Sequence, residues 1–331
     1  MDANVQESTA KAEKLSIGPE TPEYSTNWCD IPMEMRSECI QRMDLKTRMR
    51  LRRTSKTEKW LVEWTRCHLK HFKLEFSYKP SQRYSEYLLM TIEKNWSIKV
   101  MVDSGKDTQN FLKFLIYILT HHEIDVFAFV NEAHLDLDFE SMFPELTPFR
   151  FKTFRSAVVD LPYLKFFLNN CKGVENVCIE YNDEEIVELI DCPAVIKAKI
   201  FQVDLMQRKE RPFKLVQKWI DNDAEVGKKL RFARFNANDE DNTLEQFASI
   251  FKDRVISKDE EKVRIRTDNP AKHIILSFHE YDEMLYFSCD IISSDLLAPL
   301  ENWEWAYENF WTTSSNYPYT TEPEDDVIVL E

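Results

Sequence analysis

Residues 28–62 run WCDIPMEMRSECIQRMDLKTRMRLRRTSKTEKWLV, and this stretch divides into three helical pieces. The dipeptide Ile31-Pro32 opens the first, because a proline at a helix start lacks an N–H that would find no partner there anyway. Met35, Cys39, Ile40 and Met43 follow at i, i+4, i+5 and i+8, an apolar stripe at helical spacing. Asp44 is placed to cap a second short helix carrying Leu45, Met49 and Leu51. Ser55-Lys56-Thr57-Glu58 has the form of a capping box and starts a third helix with Trp60, Leu61 and Trp64. A module of this size, set at 27–66, buries too little surface to be stable by itself, so it needs a neighbouring domain or a partner.

The module is also locally basic. Lys46, Arg48, Arg50, Arg52, Arg53, Lys56 and Lys59 stand against one acid, Glu58, in a chain of formal charge −15. A solvated helix face accounts for such a run. So does complementarity to an acidic partner, in which Arg48, Arg52, Arg53 and Lys56 steer the encounter. The acidic balance of the whole argues against a nucleic-acid partner, since phosphate contacts want a basic face.

Working outward, residues 1–26 are polar with Pro19 and Pro22 and read as a disordered arm; 312–331 read as an acidic disordered tail, apart from its apolar end Val327–Leu330, which is either a docking strand or without a role, the second being favoured. From Phe72 the period changes to two: Phe72, Leu74, Phe76 and Tyr78 alternate with polar residues, a strand with one wet face. Further strands are expected at 84–92 and 96–102, a helix over 107–120, then strands and helices in alternation to a final hairpin, 272–279 with 284–291, and a closing helix around 301–311. In detail, helices are expected over 161–171, 183–190, 212–222 and 243–252, and strands at 124–130, 150–158, 174–181, 196–205, 229–235 and 262–266. Gly173 and Gly227 are expected to end the helices before them. Strands between 124 and 266 start roughly 22 to 33 residues apart, the range of stacked βα units. The expected class is α/β, with α+β as the alternative, and the domain 67–311 reads as a degenerate, leucine-rich-repeat-like sheet with helices on one side.

Several chemistries are excluded. The four glycines lie far apart, so neither a phosphate-binding loop nor a G-x-S-x-G elbow can form. The cysteines Cys171, Cys178 and Cys192 match no zinc spacing and read as small core residues. His121 and His122 suit a helix C-terminus without a metal. Acid clusters at 183–185, 239–241 and 259–261 fit turns and helix starts, where carboxylates accept backbone N–H bonds. Seven scattered cysteines without an apolar leader point to a reducing compartment, and no run approaches a membrane span. No catalytic, cofactor-binding or metal-ligating set emerges.

The module resembles an F-box, and the phrases DIPMEMR, MDLKTR and LRRTSKTEK resemble the divergent nematode group of F-box proteins; the region beyond Phe72 is similar to the F-box-associated regions of that group. The resemblance implies a non-catalytic subunit of an SCF (Skp-cullin-F-box) ubiquitin ligase, cytoplasmic or nuclear, needing no cofactor. It implies that Ile31, Pro32, Met35, Ile40, Met43, Leu45 and Leu51 enter the acidic Skp linker, which bridges to the cullin-RING ligase. It also implies that the C-terminal domain holds a protein substrate, without naming it. No membrane partner is implied. Alternation on the strands makes Glu180, Gln202, Asp204, Arg231, Arg264 and Arg266 the candidate substrate surface. Two readings compete: a binding module acting outside a ligase, and an enzyme with an unrecognised site in the C-terminal domain.

Overall fold

A computed structural model of the chain describes residues 27–79, 85–93, 96–102, 105–131, 148–157, 160–180, 184–204, 212–235, 243–281, 284–296 and 327–329. The disordered arm expected at 1–26 and the closing helix expected around 301–311 lie outside the described residues. The chain divides into two compact units, Met1–Thr65 and Arg66–Glu331.

The first unit holds a short 3₁₀ turn at Trp28–Asp30 and helices α1 (Met33–Arg42), α2 (Leu45–Arg52) and α3 (Lys56–Trp64). Asp44 caps α2 by accepting from the Thr47 N–H at 2.7 Å. Ser55 caps α3 by accepting from the Glu58 N–H at 3.2 Å. The box closes differently from the usual form: the Ser55 hydroxyl itself donates to the Glu58 carboxylate, rather than the Ser55 backbone N–H.

The second unit is built on a sheet. Its described strands are β1 (His68–Lys79), β2 (Ser85–Ile92), β3 (Trp96–Met101), β4 (Glu123–Asn131), β5 (Phe149–Ala157), β6 (Cys171–Lys172), β7 (Asn176–Glu180), β8 (Ile200–Asp204), β9 (Lys229–Phe235), β10 (Val255–Lys258), β11 (Lys262–Arg266), β12 (Lys272–Tyr281), β13 (Met284–Ser293) and β14 (Val327–Val329). Their order is β10-β11-β12-β13-β9-β8-β7-β5-β4-β1-β2-β3-β14, with β6 beside the start of β5. The run β1-β4-β5-β7-β8-β9 is parallel throughout. Each of these strands joins on the same side of the one before it. Crossovers between parallel neighbours follow the right-handed rule, which puts the described connecting helices on one face.

That face is aromatic. In α5 (Leu161–Asn169), Phe167 lies 5.0 Å from Phe127, 5.1 Å from Phe129 and 6.2 Å from Phe154, ring centre to ring centre. Further along, Phe213 of α7 (Pro212–Asp221) meets Phe232 of β9 and Phe247 of α8 (Thr243–Ile250). These rings are fully buried and form the core of the unit. Trp96 of β3 packs edge-on against Phe114 of α4 (Gly105–His121).

Several local expectations change. Residues 193–197 are a short helix, α6 (Pro193–Lys197), where a strand from 196 was expected; Pro193 fixes a helical φ at its first turn, and the strand begins only at Ile200. Residues Glu184–Asp191 are 3₁₀ rather than α-helical. The helix at 212–221 ends without Gly227. Asp223, at φ 46°, takes the left-handed position, and the Ala224 N–H bonds back to the Trp219 carbonyl at 2.9 Å. Gly227 instead donates to the Ile291 carbonyl at the start of β9, at φ 94°. His121 does meet a carbonyl of the last helical turn, at 3.0 Å from Tyr117, but His122 does not serve the helix end through Nδ1. Its Nδ1 accepts from the Cys67 N–H and faces the Cys67 thiol, 3.0 Å away. The tail's apolar end takes the docking-strand reading, the one not favoured from the sequence: it pairs as β14 with β3.

Candidate functional site

Within the helical unit, Ile40 of α1, Leu45 and Met49 of α2, and Leu61 and Val62 of α3 are buried and make a small core. On α3 the inward stripe is Glu58, Leu61, Val62 and Thr65, at i, i+3, i+4 and i+7. Glu58 is the polar hub of this core. Its Oε1 accepts from the Trp28 indole at 3.1 Å and from the Arg36 guanidinium at 3.2 Å, while Oε2 takes the Ser55 hydroxyl. One carboxylate thereby ties the entry turn, α1 and the start of α3.

The Ser55 hydroxyl first, then the Trp28 indole and the Arg36 charge, hold the Glu58 carboxyl below its ordinary value of 4.5, against burial pushing the other way. A carboxylate depressed by native bonds stabilises the fold fully above its unfolded pKa, and that contribution is lost as pH falls through the folded value. Amide protection across Lys56–Trp64 is therefore expected to drop when the pH passes below about 4.5. Hydrogen exchange on wild type and Glu58→Gln checks this. The variant should be less protected at pH 7 and should lack the acid-dependent step; if the step persists in it, another carboxylate is responsible.

Arg48 is the other buried charge. It was expected on an exposed basic face, but it is fully buried. Its Nε donates to the Met43 carbonyl at 3.1 Å and one terminal nitrogen donates to the Thr65 carbonyl at 2.9 Å. Met43 and Thr65 are the C-terminal caps of α1 and α3, so the cation sits at two negative helix ends. A guanidinium in that position cannot steer an encounter. Arg52 is half-buried and ion-paired with Glu63 at 2.6 Å; Arg53 and Lys56 are exposed.

The seven expected docking residues separate in the same way. Pro32 and Met35 are exposed, Met35 at 59 %. Ile31, Met43 and Leu51 are half-buried, whereas Ile40 and Leu45 belong to the module's own core. Pro32, Met35 and Cys39 lie three and four residues apart, so they line one exposed side of α1. Two aromatic side chains placed on α3 from the sequence stand outside the expected docking set. Trp60 and Trp64 are exposed, Trp64 at 73 %, and stack on each other with ring centres 5.6 Å apart. The inward stripe of α3 carries the signal, because it leaves positions 60 and 64 facing out.

Residues 28–68 form an F-box domain. F-box domains bind the Skp linker within cullin-RING ligases and characterise adaptors that are generally non-catalytic. No curated protein matches the chain.

Beyond the F-box, the candidate substrate residues share one face of the sheet. Register carries Arg155, Cys178, Gln202, Arg231, Ser288 and Ser277 across six neighbouring strands, on the side opposite the aromatic core. Glu180 and Asp204 pair two positions further along β7 and β8, on the same face. Arg264 belongs to the adjoining row with Ile275, Asp290 and Lys229, and Arg266 follows it by two.

Two of the six are not solvated surface. Gln202 and Arg231 are 3 % and 5 % exposed, and both are engaged by neighbouring groups. Arg264 is half-buried, donating to His273 Nδ1 at 2.9 Å and to the Ser294 carbonyl at 2.8 Å. Arg266 is exposed and reaches the Asp253 carbonyl at 2.8 Å. The buried Ser288 hydroxyl donates to Asp290 at 2.6 Å.

Among the described residues, no group of His, Cys, Asp or Glu side chains could hold a metal ion, and no helix is long and apolar enough to cross a membrane. Burial pushes the Cys171 thiol up to about 12 and the Cys192 thiol up to about 11, values suited to inert thiols; Cys192 is a core residue as expected, whereas Cys171 and Cys178 are only half-buried. Of the acid clusters, Asp259 accepts from the Glu261 and Lys262 N–H groups at 3.0 and 2.9 Å, a turn role. The clusters at 183–185 and 239–241 lie outside the residues whose side chains are described.

Proposed function

We propose that the chain is a substrate-recruiting subunit of an SCF-type ubiquitin ligase. The observation that carries this reading is the F-box at 28–68 with an apolar side of α1, Pro32, Met35 and Cys39, left exposed. The Skp linker covers that side, together with Ile31, Met43 and Leu51, and Ile40 and Leu45 support it from the core. Arg53 and Lys56 supply the long-range attraction to an acidic linker. The sheet unit, whose βα succession suits a degenerate leucine-rich-repeat-like arrangement, presents a protein substrate on its polar face, the face on which register puts Glu180, Asp204, Arg264 and Arg266, with Gln202 and Arg231 buried beneath it. No residue of this chain carries out the transfer; the assembly brings the substrate lysine and the charged ubiquitin together, and catalysis is by proximity.

Co-purification of the full chain with the Skp linker, beside a chain lacking residues 1–66, tests this. Capture by the full chain and loss on truncation is the expected result. A full chain that is folded and fails to retain the linker would overturn the reading.

A further inference from the structure

The two ends of the described sheet are finished differently. At one end β10 is short, contains a register shift, and is exposed over three of its four residues, all of which discourage further pairing. At the other end β3 is a regular six-residue strand, WSIKVM, paired with β2 from Trp96 through Met101. Trp96, Ile98 and Val100 are buried, and Lys99 is its one charge, lying over the Tyr87 ring at 4.0 Å. A straight apolar strand of this kind offers unpaired backbone groups to any extended chain. Here a segment of the same chain takes the place: Val327, Ile328 and Val329 run parallel to β3, opposite Ser97, Ile98 and Lys99.

Three parallel pairs are a weak attachment, because parallel ladders are the less stable kind and the strand is short. The segment stays in place by being tethered, which gives it a high local concentration without high intrinsic affinity. An attachment of that sort yields to a competitor. We infer that the outer edge of β3 is a peptide-binding site, occupied in cis by residues 327–329, and that its partner is an extended protein segment carrying a β-branched run after acidic residues. The model for that chemistry is the tail's own sequence, TEPEDDVIVLE, at residues 321–331. Main-chain hydrogen bonds supply the affinity, as in other strand-addition complexes, and the β-branched run favours the extended backbone. The site is independent of linker docking, so it stands or falls separately from the ligase reading.

The test uses the full chain and a chain ending at residue 320, with a fluorescent synthetic peptide of residues 321–331 as the probe. The shortened chain should bind the peptide, and the intact chain should bind it at least about tenfold more weakly, because its own tail competes. A peptide carrying Val327→Pro and Ile328→Pro should not bind, since at least one ladder N–H is gone. Amide exchange at Ser97–Lys99 should quicken on truncation and slow again with peptide, while β1 and β4 stay protected. Failure of a truncated chain with protected β1 and β4 to bind the peptide would overturn the inference, as would equal binding of the proline peptide. Dimers of the intact chain that vanish on truncation would assign the edge to a second copy's tail and overturn occupancy in cis.

Discussion

Arg48→Met is expected to unfold the helical unit while leaving the sheet unit folded. The guanidinium is buried and donates to two carbonyls at the ends of α1 and α3. Hydrogen bonds from a charged donor are worth about 1.5–3 kcal/mol each, and methionine supplies neither while leaving both carbonyls facing an apolar stem. A loss of about 3 kcal/mol or more follows, which is most of what a core of this size provides. Arg48→Lys keeps the charge but spreads fewer donors, so an intermediate loss is expected. Hydrogen exchange resolves the two units: amides of Met33–Trp64 should lose protection in Arg48→Met, whereas β1, β4 and β5 should not change. Arg53→Ala, an exposed neighbour in the same basic run, should alter stability by no more than about 0.5 kcal/mol. If Arg48→Met proves as harmless as Arg53→Ala, the buried pairing contributes nothing and Arg48 returns to the basic face.

The inward turn of Arg48 is set by tertiary packing. A charge run is visible in the sequence, but which member turns inward depends on where the ends of α1 and α3 meet, and that is tertiary. The same holds for Glu58, legible as a capping residue from its spacing to Ser55, and not legible as the acceptor for Trp28 and Arg36 from other elements. Helices with clean periodicity, such as α3 and α8, and strands with strict alternation, such as β1, were legible because burial of one face writes a period into the sequence. Pro193 was present to be read as a helix start, and the β-branched run Val195-Ile196 concealed it. The apolar run Val327–Leu330 made a docking strand one of two readings, and what decides between them is the open edge of β3, a fact about the sheet and not about the tail. Among the candidate substrate residues, register is what brings Glu180, Gln202, Asp204, Arg231, Arg264 and Arg266 to one face, and the burial of Gln202 and Arg231 on that face could not be read from alternation alone.

Met35→Asp is expected to reduce affinity for the Skp linker by about 30-fold or more without unfolding the chain. Met35 is exposed on the third residue of α1, where an acidic side chain suits the positive end of the helix dipole, so the free fold tolerates the change. In a complex the same carboxylate would be desolvated against apolar neighbours, and truncating or charging one central anchor of an interface typically costs about 2 kcal/mol or more, which is the stated factor. Ile40→Asp should also abolish binding, but through the core, and exchange data would show protection lost along with it. Trp64→Ala separates two extents for the interface. Tenfold weaker binding would extend the covered surface from α1 to the stacked pair on α3; unchanged binding would confine it to α1 and leave the tryptophans free for another neighbour. Arg53→Glu with Lys56→Glu should slow association several-fold at low salt and leave dissociation nearly unchanged, because rim charges act before contact. Binding by Met35→Asp equal to wild type would remove α1 from the interface, and with it the side of the F-box on which the adaptor reading rests.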